Sequence, residues 1–180
     1  MSRPIPGHGH RFDGLTSLLN QSAYSEDISA VQSEKMALTY PCACVRMDVD
    51  KFKVVNDTYG HAAGDEALRH IATAARGVVR ERDRIYRISG DEFGVLCTNF
   101  TEEEAAGAMR RLCAALSDSP VRWVDRDGTV SEFNVSVSVG VAEFSKPSDT
   151  SICFEEADNA AYESKSVGRG TVTRSSTRDP

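Results

Sequence analysis

The run Arg87-Ile88-Ser89-Gly90-Asp91-Glu92-Phe93-Gly94-Val95-Leu96 constrains the fold of this chain more than any other segment. Two adjacent carboxylates stand on a tight, glycine-containing turn between two short apolar segments, Arg84 to Ile88 and Phe93 to Cys97. That spacing predicts a β-hairpin. A second acidic cluster, Asp48-Val49-Asp50, follows directly on the apolar run that starts at Cys42. A single acid at a strand end is commonly just solvated, but two clusters flanking one sheet call for more. Hard cations take oxygen ligands, and Mg²⁺ uses one or two carboxylates while phosphate and water fill the remaining positions. Gly90 is expected to supply a positive φ in the turn and to let the backbone come close to a ligand.

The rest of the chain supplies layers for that hairpin. Phe12 to Lys35 reads as a leading helix, and Cys42 to Val49 is too short for a helix and reads as a buried strand. From Gly64 to Arg80 the apolar residues Ala67, Leu68, Ile71, Ala75, Val78 and Val79 recur at helical spacing. Thr101 with Glu104 three residues on is a capping box, opening a helix that stops before Pro120. Val121 to Val124 is followed by a turn at Asp125 to Gly128. Then Val135, Val137, Val139 and Val141 alternate with polar or small residues, which predicts a strand with one buried face. A last helix spans about Ile152 to Ser166 and ends at Gly168. The order α-β-α-β-β-α-β-β-α fits an α+β fold of ferredoxin-like type, a central mainly antiparallel sheet flanked by helices. One domain over residues 12–170 is expected, with a flexible lead-in at 1–11 and a flexible tail at 171–180.

The net charge of −6 argues against nucleic acid or an anionic membrane surface as a partner. No apolar run nears the length of a membrane span, and no secretory leader is visible. Five cysteines (Cys42, Cys44, Cys97, Cys113, Cys153) contain no CxxC pair and read as reduced core residues of a cytoplasmic protein. His8, His10, His61 and His70 are too scattered to suggest a metal site.

Between the acidic clusters lies Lys51-Phe52-Lys53-Val54-Val55-Asn56-Asp57-Thr58-Tyr59-Gly60-His61-Ala62-Ala63-Gly64-Asp65. An Asn amide and a carboxylate can together read the edge of guanine, since the carboxylate accepts from its N1–H and amino group. Residue chemistry alone leaves an equal alternative, a turn Asn and a first-turn helix Asp. Lys53, Lys165 and Arg169 are candidate phosphate-binding cations, with Arg87 a further one. Cations at a helix end also complement its dipole. Arg80-Glu81-Arg82-Asp83 sits in an arginine-rich stretch that would ordinarily be a solvated, salt-bridged helix end.

Taken together, DxDxFKxxNDxxGHxxGD and the Gly-Asp-Glu-Phe turn closely resemble the GGDEF family of diguanylate cyclases, with Ser89 in place of the first Gly. The resemblance extends from about Asp13 to Arg169. It implies a palm-like nucleotide-cyclase fold, GTP as substrate, Mg²⁺ (Mn²⁺ as an alternative) as cofactor and a homodimer for catalysis. By position, Asp48 and Asp91 would bind metal through side chains and Val49 through its carbonyl, with Glu92 completing the acidic turn. Asn56 and Asp65 would select guanine. Phe52, Lys53, Ser89, Gly90, Lys165 and Arg169 would contact the nucleotide. The RxxD residues Arg80 and Asp83 would form an inhibitory site for the product, cyclic di-GMP. Asp13-Gly14-Leu15-Thr16-Ser17-Leu18-Leu19-Asn20 resembles the family's entry motif, but Gln21 replaces its usual Arg, so an ion pair is expected to be missing. The competing reading is a weak or inactive domain that senses GTP or cyclic di-GMP.

Overall fold

A computed structural model of the protein describes residues 11–177. Its elements are α1 (Gln21–Gln32), β1 (Cys42–Val49), α2 (Phe52–Tyr59), α3 (His61–Val78), β2 (Arg84–Ser89), β3 (Glu92–Thr98), α4 (Glu102–Asp118), β4 (Val121–Val124), β5 (Val130–Phe133), β6 (Val137–Phe144), α5 (Thr150–Ser166) and β7 (Val172–Arg174). Five strands form a central sheet in the order β2-β3-β1-β6-β7, and β4 pairs with β5 in a separate hairpin. Every pairing is antiparallel except that of β6 with β7. This is the expected α+β architecture.

Strand alternation explains why β1 is apolar on both faces. Ala43, Val45, Met47 and Val49 belong to one core, shared with residues of α3 and α4. Cys42 and Cys44 point to the other, with Val31 of α1 and Cys153, Phe154 and Ala157 of α5. The sheet is thus sealed by helices on both sides.

Several boundaries differ from the sequence reading. The leading helix begins only at Gln21, where Asn20 caps it by accepting from the Ala23 N–H at 3.0 Å. Phe12 to Leu19 instead makes a loop, closed by a bridge between those two residues. Three elements have no counterpart in that reading, α2, β5 and β7, and all are short. The strand β6 is buried on both faces rather than one, because α5 lies across Ser138, Gly140 and Ala142. Thr101 and Glu104 do form the capping box.

The terminal segments are also more ordered than expected. Thr171 to Thr177, read as tail, contains β7 and a short 3₁₀ turn. Its polar residues are not merely solvated: Ser175 Oγ donates to Glu102 at 2.9 Å and the Ser176 N–H at 3.1 Å, giving partners to a buried carboxylate. At the other end Arg11 pairs with buried Asp27 at 2.6 Å, and Asp27 also accepts from Arg84 and from the Tyr86 hydroxyl. Residues 1–10, with His8 and His10, and residues 178–180 lie outside the described residues.

All five cysteines are free thiols; four are buried, and Cys113 is half-buried. Burial pushes Cys42, Cys44 and Cys97 above the usual thiol range, and Cys113 up to about 11. Among the described residues no helix is long and apolar enough to cross a membrane.

At Gly140 an added Cβ would lie 1.9 Å from the Ala157 carbonyl oxygen and 2.3 Å from the Ala161 nitrogen. Both are backbone atoms and cannot swing aside. Gly140→Ala should therefore cost at least about 2 kcal/mol in urea unfolding; an unchanged midpoint would show that α5 does not rest on this strand.

Candidate active site

The register of β1 against β3 places Asp48 opposite Glu92. Alternation along β1 puts Asp48 and Arg46 on the face covered by α5, and Lys165 in the last turn of that helix reaches Asp48 Oδ2 at 2.9 Å. The Val49 N–H donates to the Asp91 carbonyl at 3.1 Å, fixing the acidic turn to the end of β1. Burial raises the pKa of Asp48 above its ordinary value. Asp91 and Glu92 push the same way, and together these effects outweigh the Lys165 ion pair. The cluster is short of positive charge, a deficit a divalent cation would remove. Asp48, Asp91 and Glu92 are the oxygen donors that would hold one. Among the described residues no group of three such side chains is arranged to hold a metal ion by itself, and Mg²⁺ takes one or two carboxylates with phosphate and water completing its shell.

The acidic turn is braced from below. Arg87 donates through Nε and Nη2 to the Gly90 carbonyl, at 3.0 and 2.8 Å, and through Nη1 to Asp13 at 3.1 Å. All three nitrogens are engaged, so Arg87 serves the turn's backbone rather than a phosphate. Asp13 thereby gains an ion pair despite Gln21. Hydrogen bonds from Thr16 and Arg87 hold it below the usual carboxylate range, against the opposing effect of partial burial. Ser89 Oγ donates to Glu92 Oε2 at 2.8 Å. Gly90 does not adopt the positive φ expected of it; the register shift between Arg87 and Ser89 makes the bend instead. What its missing Cβ leaves is clear space, with nothing within 4 Å.

Asp50 was not singled out in the sequence beyond its place in the acidic cluster, yet it joins three segments. Its carboxylate accepts from Ser136 Oγ at 2.6 Å, Ser138 Oγ at 2.6 Å and the Gly170 N–H at 2.8 Å. The loop carrying Arg169 is thus clasped to the end of β1. Lys51 and Arg169, on either side of this clasp, both have left-handed backbone (φ 53° and 60°), a costly state for non-glycine residues. They line a cavity of about 770 Å³ with Val54, Tyr59 and Phe133. Asn56 and Phe52 lie at the α2–α3 junction, where Gly64 makes room for them: a Cβ there would fall 1.9 Å from Asn56 Oδ1 and 3.3 Å from the Phe52 ring. Asp65 is exposed beside Gly64, and Lys53 is exposed on α2. The structure thus groups Asp48, Glu92 and Lys165 in one cleft, while Arg169 opens onto the neighbouring cavity.

Arg80 and Asp83 lie elsewhere, in a cavity of about 610 Å³ also lined by Phe12, Arg76 and Arg84. Asp83 is buried and accepts from the Arg80 backbone N–H at 2.9 Å, so it shapes the loop rather than orienting the guanidinium. That group instead stacks 4.0 Å above the Phe100 ring.

Comparison with known proteins bears on this geometry. The family model described as diguanylate cyclase, GGDEF domain, matches residues 10–171. Diguanylate cyclase DgcS of Shewanella oneidensis is 32% identical over 93% of this chain and 53% of its own length. Diguanylate cyclase TpbB of Pseudomonas aeruginosa PAO1 is 33% identical over 96% of this chain and 39% of its own. The chain spans 14% to 53% of the length of the first three curated relatives. Among solved structures, the GGDEF domain of DgcB from Caulobacter crescentus, in complex with c-di-GMP, superposes with a TM-score of 0.81 at 25% identity, covering 98% of this chain and 99% of that one. The GGDEF domain of P. aeruginosa PA1120 (TpbB or YfiN) gives 0.77 at 31% identity, covering 91% and 94%.

A carboxylate whose native pKa is raised costs the fold stability while ionised, and that cost is relieved as pH falls through the raised value. Asp48→Asn at neutral pH should therefore be as stable as wild type or up to about 1 kcal/mol more so. It should also abolish any rise in melting temperature on adding Mg²⁺. A clearly destabilised variant would show that the Lys165 ion pair outweighs the repulsion.

Proposed function

The chain belongs to the GGDEF family of diguanylate cyclase domains, and from its site we propose that it condenses two GTP into cyclic di-GMP and two pyrophosphates. The observation that carries this reading is the pairing of Asp48 with Glu92 at the end of one sheet, under Lys165. Asp48 and Asp91, with the Val49 carbonyl and Glu92, would hold Mg²⁺, with Mn²⁺ as an alternative. When bound, the ion supplies charge neutralisation of the triphosphate and a lowered pKa for the ribose hydroxyl. Lys53, Lys165 and Arg169 grip phosphates. Asn56 and Asp65 select guanine, while Phe52, Ser89 and Gly90 border the nucleotide. The open space over Gly90 and the unstrained backbone of Ser89 support a turn that still admits a ligand.

One domain offers one half-site, so two meet face to face with their nucleotides antiparallel. Each 3′-hydroxyl attacks the α-phosphate held by the other domain, and pyrophosphate leaves in line. Positioning and preorganised charge supply most of the acceleration. The Arg80 cavity is assigned to product: guanidinium groups stack on purines and fork onto phosphates, and the similar DgcB domain was solved with c-di-GMP.

The decisive experiment incubates the protein with GTP and Mg²⁺ and resolves the nucleotides by chromatography. Cyclic di-GMP should form with wild type and not with Asp91→Ala. Silence from product-stripped wild type at high concentration would favour a binding module instead. Specific activity should rise with enzyme concentration across the monomer–dimer range, and a constant specific activity there would refute the half-site arrangement. Arg80→Ala should relieve inhibition by added cyclic di-GMP while leaving initial turnover unchanged; inhibition of wild-type strength would refute that site.

A further inference from the structure

We propose that Arg46 is a positioning residue of this site: it restrains Glu92 and thereby sets how much Mg²⁺ the site requires. The inference rests on the metal-binding reading above. Arg46 lies on β1 two residues before Asp48, on the same face, and its partners across the sheet are Gly94 on β3 and Gly140 on β6. Both flanks lack side chains, and their places are taken by the α5 backbone at Gly140 and by Ile88 at Gly94, while the arginine itself reaches Asp158 of α5. Its side chain is only 12% exposed. Nε bonds Asp158 Oδ1 at 2.8 Å, and Nη2 stands 3.6 Å from Glu92 Oε2.

Glu92 Oε2 therefore has two claimants, the Arg46 guanidinium and the Ser89 hydroxyl at 2.8 Å. Asp158 and Lys165 are seven residues apart on α5, hence on one helix face. They enter the same small cavity, of about 170 Å³, as Arg46, Asp48 and Glu92. The cavity brings together three carboxylates and two cations. Lys165 can swing on its flexible stem, whereas a guanidinium is always charged, and this one is tethered to Asp158 through Nε. Nearly buried, its charge is poorly screened by salt. A divalent ion seated at Asp48 and Asp91 must draw Glu92 away from Arg46 and Ser89, and must do so against a resident positive charge. Arg46 thus weakens cation binding and raises the Mg²⁺ concentration at which the site fills. If Arg46 were simply a strut from β1 to α5 through Asp158, its charge beside Glu92 would not affect the ion.

The test titrates Mg²⁺ at a fixed saturating concentration of guanosine α,β-methylene triphosphate, which cannot turn over, and follows the melting temperature. Arg46→Met fills similar volume without charge and should lower the half-saturating Mg²⁺ concentration by about five-fold. Arg46→Lys should stay within about two-fold of wild type because the charge is kept. The double variant Arg46→Met with Glu92→Gln should lose the gain. An unchanged or raised midpoint in cooperatively melting Arg46→Met, or a gain that persists in the double variant, would overturn the proposal. Ser89→Ala removes the other claimant and should shift the midpoint the same way, so the proposal stays exposed even if Arg46→Met does not fold; no shift there would count against it. A wild type with no Mg²⁺ response at all would instead refute the metal-binding reading beneath it.

Discussion

The register between β1 and β3 is the constraint on which the rest of this structure depends. With Cys42 opposite Thr98 and Asp48 opposite Glu92, seven paired residues fix the two acidic segments against each other. A slip of one residue would turn Asp48 into the core shared with α3 and α4, and Met47 out toward α5. That alternative is closed by the burial of both faces. Ala43, Val45 and Met47 are fully or almost fully buried on one side, and Cys42 and Cys44 on the other. The apolar packing thus holds the carboxylates together, since nothing in their own electrostatics would.

The second layer of organisation is the clasp at Asp50. Its neighbour Asp48 is left half-exposed for ligand chemistry, while Asp50 spends its carboxylate on Ser136, Ser138 and the Gly170 amide. This division follows from position: Asp48 still lies within the strand, and Asp50 has passed its end and meets the start of β6. The clasp compensates for left-handed backbone at Lys51 and Arg169. Glu102 continues the same logic by fixing Ser175 and Ser176. The C-terminal strand, read from sequence as tail, is in this way tied to the loop that presents Arg169.

Much of the fold was legible because long periodic segments leave few options. The helices α3, α4 and α5 and the strands β1 to β3 appear close to their expected bounds. What escaped has a physical reason in each case. The helix α2 has only eight residues with a single buried one, Val55, and runs into α3 across Gly60. The tail is polar, and it is ordered by partners distant in sequence: the strand β6 beside it and the buried carboxylate of Glu102. The strand β6 showed its valines plainly, but its other face is small rather than polar, and only the approach of α5 makes that meaningful. Motif spacing singled out the candidate site residues, and the structure adds what several of them contact. Arg87 and Asp83 resemble ligand-binding residues by composition, yet the first braces a turn and the second caps a loop.

The site also shows why stability and function pull apart here. Burial, with Asp91 and Glu92 beside it, raises the proton affinity of Asp48 even with Lys165 in contact. An apolar or amide replacement would relieve that tension, and the fold has no need of the charge. The proposed metal–nucleotide role gives the carboxylates a purpose that the fold itself does not. The cations already present, Lys165 on Asp48 and Arg46 near Glu92, act as partial stand-ins that keep the cluster foldable in the meantime. They differ in kind: the flexible lysine can transfer its attention to phosphate, while the anchored arginine stays where it is. On the proposed reading the two ion pairs at this cluster differ: Lys165 is surrendered on binding, and Arg46 continues to compete for Glu92.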